Sequence, residues 1–221
     1  MNGSNDATAP GLMEDALRGY LNRRCKRAYA HDMRNGLQGI QAGFDALARA
    51  ARPNKPSAVP LEQLTQFVQQ AMTNHEHGLE RVLESVGPED FTPAPVKIRE
   101  LLADVVRFLT TDAARNRVRI KVDMGDDIVA HAALARLRLI FLGLLTHGID
   151  VLAEGGDISI TAEPADGQVQ IDFVDPRTGD DSDAFVVRAV AEVVAQTSGQ
   201  MERKRVERGY RVRLRLPRHG S

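Results

Sequence analysis

The chain has 221 residues, enough for one large or two small domains with a real core. Its 29 basic and 30 acidic side chains nearly cancel, and it has no tryptophan for base stacking, which speaks against a nucleic-acid binder. A lone cysteine, Cys25, excludes an internal disulfide framework and a cysteine-rich zinc site.

Residues 1–10 are rich in Gly, Ser, Asn, Asp, Thr and Pro. They read as a disordered lead-in, without the basic and apolar stretches of a signal peptide. From Leu12 to about Ala51 no proline intervenes, and Ala30, Met33, Leu37, Ile40, Phe44, Leu47 and Ala51 recur in steps of three and four. That is a heptad-like seam of the kind that packs in helical bundles. Arg52–Ser57 is a turn by composition. A second seam follows through Leu61, Leu64, Val68, Ala71, His75, Val82 and Val86, and Gly87-Pro88 stops it. Two amphipathic helices with a short joint predict an antiparallel hairpin over residues 11–88. Two helices alone cannot bury both stripes, so a second copy completes a dimeric four-helix bundle.

The pattern changes over residues 94–217. Helices are predicted for Ile98–Ala113, for the very apolar Ala132–Ala153 and for Asp183–Gln196, the last capped by Asp183 or Ser182. Strands are predicted for Val118–Val122, Ile158–Thr161 and Val169–Phe173, with a terminal hairpin of Met201–Val206 and Tyr210–Leu216. The fold class is α+β: a long N-terminal helical hairpin, then an α/β sandwich with helices on one sheet face. The longest apolar run, Ile140–Leu145, falls far short of the ~20 residues that span a bilayer. A soluble cytoplasmic protein without membrane or nucleic-acid partners is expected.

On the first helix His31 falls outside the seam. Asn35, Gln38, Ala42 and Asp45 continue its stripe, since residues four apart share a face. An exposed imidazole is largely neutral at pH 7 and nucleophilic, and Asp32 is placed to hydrogen-bond one ring nitrogen and orient the other. On periodicity alone an ordinary surface histidine is the simpler reading, because neighbouring His and Asp are common. His75 and His77, two apart, point to different helix faces and make no metal pair.

His31-Asp32-Met33-Arg34-Asn35 resembles the H box of bacterial sensor histidine kinases, His-Glu/Asp-x-x-Asn/Thr, on the first of two bundle helices. Downstream, Val96–Leu102 looks like the opening of the kinase ATP-binding domain. Leu137–Leu152 looks like the N-box helix, and Glu154–Ile160 like the turn and strand after it. Asp175 stands where the first glycine-box aspartate would be, and the resemblance covers about residues 20–216. The departures concern the nucleotide. His147 replaces the magnesium-holding Asn of the N box, and Gly143 stands upstream where a further Asn would be required. Asp175-Pro176-Arg177-Thr178-Gly179 keeps one glycine of two, and Asp183–Val187 replaces the second glycine box, whose amides cradle phosphate. Asp180, Asp181 and Asp183 would repel a triphosphate.

The resemblance therefore implies a kinase-like dimer with a degenerate ATP-binding domain. Its expected role is that of a histidine phosphotransferase in a two-component phosphorelay, a signal-transduction chain of phosphoryl transfers. His31 would carry the phosphohistidine, Asp32 would orient it, and Asn35 would lie beneath. Arg34, and Lys26 or Arg27, could offset charge at the docked face, although a plain solvated face explains them more simply. Gln38, Gln41, Ala42 and Asp45 would contact the partner. Expected partners are response-regulator receiver domains and a hybrid histidine kinase. No cofactor is expected on this chain: ATP binding is lost, and magnesium belongs to the receiver. Two other readings stay open, an aspartyl-phosphate phosphatase using Asn35 and a non-catalytic pseudokinase scaffold.

Overall fold

The computed structural model describes residues 11–50, 59–86, 91–152, 154–177, 184–207 and 209–219, with side chains described for all of these except 25–32 and 74–86. The expected lead-in at residues 1–10 and the Arg52–Ser57 turn lie outside the described residues. The elements are α1 (Leu12–Ala50), α2 (Leu61–Val86), β1 (Ala94–Lys97), α3 (Ile98–Arg115), β2 (Val118–Met124), β3 (Val129–Ala132), α4 (Leu134–Val151), β4 (Gly156–Ala165), β5 (Gln168–Asp175), α5 (Phe185–Ala195), β6 (Gln200–Val206) and β7 (Gly209–Pro217). They form two compact units: Asn22–Pro88, and Glu89–Ser221 together with the chain up to Leu21.

Glu14 and Asp15 in the first turn of α1 and Arg49 in its last suit the helix dipole. Gly43 is buried, and a Cβ there would strike the Val68 side chain, so the missing methyl lets α1 and α2 approach. Only one flank of the α1 seam is covered in this way. Leu37 and Phe44, on the other flank, are 55% and 54% exposed, and Phe67 on α2 is 55% exposed.

The second unit is a five-stranded sheet of order β2-β4-β5-β7-β6, with helices α3, α4 and α5 packed on one face. β2 and β4 are parallel, joined by a crossover through β3 and α4, and the remaining pairs are antiparallel. Alternation along β7 shows the two-faced logic: Tyr210, Val212, Leu214 and Leu216 are buried, with arginines between them. On the open face Asp172 pairs with Arg213 on the neighbouring strand through two 2.7 Å hydrogen bonds, which push the guanidinium pKa up. The inner face meets Leu102, Val105 and Leu109 of α3, Ile140, Phe141 and Leu145 of α4, and Val190 and Val194 of α5. Each such side chain contributes about 1.5–3 kcal/mol on burial.

The structure differs from the sequence pattern in several places; β4, for one, runs Gly156–Ala165 where Ile158–Thr161 was expected. The small sheet of β1 and β3 has no counterpart in the expected elements; its strands are four residues each and pair antiparallel, Val96 opposite Ala130. Because β3 takes Ala132, α4 begins at Leu134, and it ends at Val151 rather than Ala153. Gly155, at φ +91°, makes the following turn, and any Cβ there would lie 2.8 Å from the Arg117 carbonyl. The cap of α5 is Ala184, without a side-chain hydrogen bond, rather than Asp183 or Ser182. Finally, the first turns of α1 belong with the sheet unit. Leu17 is fully buried and Leu21 nearly so in its core, and Leu17 lies against Gly143 of α4. Glu14, also buried, accepts hydrogen bonds from Arg18 (2.9 Å) and Arg136 (3.3 Å), and both guanidinium groups lie over the Phe91 ring.

Candidate functional site

Two places hold the residues singled out from the sequence. The first is a face of α1. The helix runs unbroken through His31, which fixes the residues that share its face. At about 100° per residue, Asn35, Gln38, Ala42 and Asp45 stand within about 40° of His31, one stripe four turns long. The seam residues Met33, Leu37, Ile40, Phe44 and Leu47 occupy the opposite side. Arg34, Asn35, Gln38, Gln41, Ala42 and Asp45 are all exposed. Gln41 lies about 80° off the stripe, so it reaches only a partner that wraps the helix. The side chains of His31, Asp32, Lys26, Arg27, His75 and His77 lie outside the described ones.

The second place is the closed end of the sheet. His147 on α4, Asp175 at the end of β5 and Arg177 just beyond it line one small cavity of about 20 Å³, together with Arg203 of β6. The strand register brings Asp175 opposite Tyr210 on β7. Gly209, at φ +129°, lets the β6–β7 turn close over the Asp175 backbone, because any Cβ there would overlap its carbonyl oxygen. Arg177 folds back on Asp175. Its Nε and Nη2 donate to the two carboxylate oxygens, and its backbone N–H donates to Oδ1 at 3.2 Å. Both side chains are buried, 8% and 7% exposed. Arg203 stacks over the Tyr210 ring at 4.3 Å. A small-molecule site needs about 300–1,000 Å³; this cavity holds about one water.

The structure thus brings the N-box position His147 and the glycine-box position Asp175 to one site. Arg177 was not singled out by the sequence analysis. Its signal was an arginine two residues past Asp175, where the box calls for glycine.

No protein-family model matches the chain. Residues spanning 68% of it are 24% identical to the sensor histidine kinase ZraS of Escherichia coli K12, over 151 residues. The chain is related to sensor histidine kinases. The match covers 32% of ZraS, so the chain spans about a third of the length of the curated relatives it matches. In fold, 57% of the chain matches 95% of the catalytic domain of histidine kinase ThkA, with TM-score 0.53 and 14% identity. The histidine kinase ThkA in complex with the response regulator protein TrrA matches over 96% of this chain and 68% of that one, with TM-score 0.52 and 13% identity. The sheet and its helices therefore share the fold of histidine-kinase catalytic domains. Among the described residues no helix is long and apolar enough to cross a membrane.

Proposed function

We propose that the chain is a cytoplasmic histidine phosphotransferase of a two-component phosphorelay, working without ATP. His31 takes a phosphoryl group from the aspartyl phosphate of one response-regulator receiver and gives it to the aspartate of a second. An imidazole nitrogen attacks phosphorus; an N–P bond forms while the P–O bond to the aspartate breaks, and the carboxylate leaves with the electron pair. Asp32 orients the ring and relieves it of the proton on the other nitrogen. Donation to the acceptor reverses these changes. The transition state is loose, so in-line placement and charge neutralisation dominate. Arg34, with Lys26 or Arg27, supplies positive charge at the docked face, and the receiver brings the magnesium ion.

The observation that carries this reading is the Asp175–Arg177 pair in its 20 Å³ cavity. A nucleoside triphosphate does not fit these residues. The aspartate at the glycine-box position is already engaged by Arg177, and His147 offers an imidazole nitrogen where the Asn of the N box offers magnesium a carbonyl oxygen, the harder donor that this ion takes. On this reading a relative that keeps the kinase scaffold without a nucleotide site draws its phosphoryl group from another protein. The likeness to a kinase solved with a response regulator supports a receiver as partner, and a hybrid histidine kinase fits as the upstream donor. Exposed Leu37, Phe44 and Phe67 support a homodimer, because a second copy covers the bare flank of the α1 seam.

The test is to incubate a phosphorylated cognate receiver with the protein and with His31→Ala. Label should reach wild type alone. Equal labelling of both would remove His31 as acceptor, and robust labelling by Mg-ATP would remove the claim that nucleotide is not used. A second reading, phosphatase activity, is favoured by Asn35, exposed one turn beyond His31. Its amide can position a water on an aspartyl phosphate. Asn35→Ala that loses receiver dephosphorylation while His31→Ala retains it selects that reading.

A further inference from the structure

The chain crosses between the two compact units twice, leaving the sheet unit after Leu21 and returning to it after Pro88. Just before the first crossing α1 carries Glu14 and Arg18, and just after the second stands Phe91. These residues meet at one point of the sheet unit. The Glu14 carboxylate, 7% exposed, accepts from Arg18 Nη2 at 2.9 Å and from Arg136 Nε, on α4, at 3.3 Å. The guanidinium groups of Arg18 and Arg136 lie over the Phe91 ring, 5.6 Å and 5.0 Å from its centre. Arg136 Nη1 also donates to the Gln196 carbonyl at the end of α5, at 3.4 Å. Arg136 therefore ties the start of α1 and the approach to β1 to the α4 and α5 helices.

We propose that Glu14, Arg18, Arg136 and Phe91 form a latch that fastens both crossings together and opens as one piece. Each member depends on the others. A buried carboxylate is costly unless cations answer it. Two guanidinium groups side by side repel unless an anion lies between them. The ring face attracts cations that are held against it. Without the carboxylate the two cations are no longer held together over the ring; without the ring they keep Glu14 alone. Freeing the start of α1 therefore frees Phe91. Freeing Phe91 loosens the start of α1 by the same factor, because coupling between two sites is reciprocal. Leu17, Leu21 and Tyr20, whose hydroxyl donates to Asp150 at 3.3 Å, supply the rest of the α1 seat. Through the latch a change in α1, the helix that carries His31, is felt where the chain from α2 approaches β1. The latch uses neither the His31 ring nor the Asp175 cavity, so it stands or falls independently of the relay.

The test uses the full chain and reads each crossing separately. The chain has no tryptophan, so Phe91→Trp places a single indole in the latch, and an indole face holds cations at least as well as a phenyl ring. Acrylamide quenching of its fluorescence reports the second crossing, and amide hydrogen exchange of residues 12–21 reports the first. Adding Glu14→Gln to Phe91→Trp should bring quenching close to that of free tryptophan amide. In the otherwise unchanged chain, Phe91→Leu should speed exchange of residues 12–21 about fivefold or more, with the amides of β4 and β5 unaffected. Glu14→Gln combined with Phe91→Leu should speed it no further than the larger single change, since either one already opens the latch. Arg136→Lys keeps the charge but loses the planar fork. It should act as Glu14→Gln does, and it serves where that variant does not fold. The proposal fails if the two changes add, or if Glu14→Gln and Arg136→Lys leave quenching as it was. It also fails if residues 12–21 exchange only together with β4 and β5, because the whole unit is then opening and no latch exists.

Discussion

The outward face of α1 and the closed end of β5 carry similar groups in opposite settings. Around His31, Arg34, Asn35, Gln38, Gln41 and Asp45 all stand in solvent. At Asp175 a carboxylate and a guanidinium are buried and answer each other. A buried charge must find its partner within the fold, or its desolvation is not offset. An exposed one can wait for a partner from outside. On the relay reading the contrast marks the helix face, and not the Asp175 cavity, as the seat of phosphoryl chemistry. The cavity is taken up by its own ion pair, and the described side chains of the helix face stand open.

The sharpest way to break the comparison is at His31. On the relay reading, His31→Ala abolishes transfer from a phosphorylated receiver completely, because the stripe that continues through Asn35, Gln38, Ala42 and Asp45 holds no second imidazole. Rapid-mixing experiments with labelled receiver measure it, and any residual label above background on the variant counts against the assignment. At the cleft the largest effect is on stability. Arg177→Ala leaves the Asp175 carboxylate buried without its partner and should cost about 3–5 kcal/mol. Urea unfolding measures this; a change under about 1 kcal/mol would show that the pair is not buried in solution. Leu17→Ala comes next, at about 2–5 kcal/mol for a fully buried leucine. It should lower the melting temperature of the sheet unit, while below that temperature receiver-derived labelling of His31 is unchanged.

How much of this was legible from the sequence follows from the reach of each signal. The limits of α2, Leu61 and Val86, follow from a strong seam and the Gly87-Pro88 stop, and β6 and β7 follow from alternation. Both signals are local. β1 and β3 are short, and their pairing joins residues some 35 apart, so nothing in either segment announces the other. Leu17 and Leu21 show helical spacing, but periodicity names a buried face and not what buries it. Exposure of Arg34, Asn35, Gln38, Ala42 and Asp45 was readable from their place opposite the seam. At Asp175 the lost glycine was visible, whereas the return of the Arg177 side chain needed the turn geometry set by Gly209 and β7.

The smallest expected effect separates engaged carboxylates by their surroundings. Asp157, on the open sheet face, is held by Lys121 and then Arg119, and these hydrogen bonds lower its pKa below the ordinary carboxylate value. A lowered pKa means that the folded state binds the proton less readily than the unfolded chain. The stabilisation is then complete above the unfolded value of about 3.9 and disappears as pH falls through the folded one. Asp157→Asn should therefore lower Tm slightly at pH near 7, and the gap from wild type should close as pH is taken from about 5 toward 3. Because the pair is solvent-exposed, about 1 M salt, with a screening length near 3 Å, should shrink the same gap at neutral pH. The cost of Arg177→Ala should survive that salt, since its ion pair lies inside. If both variants respond alike to salt, the two carboxylates share one environment and the contrast between buried and open settings does not hold.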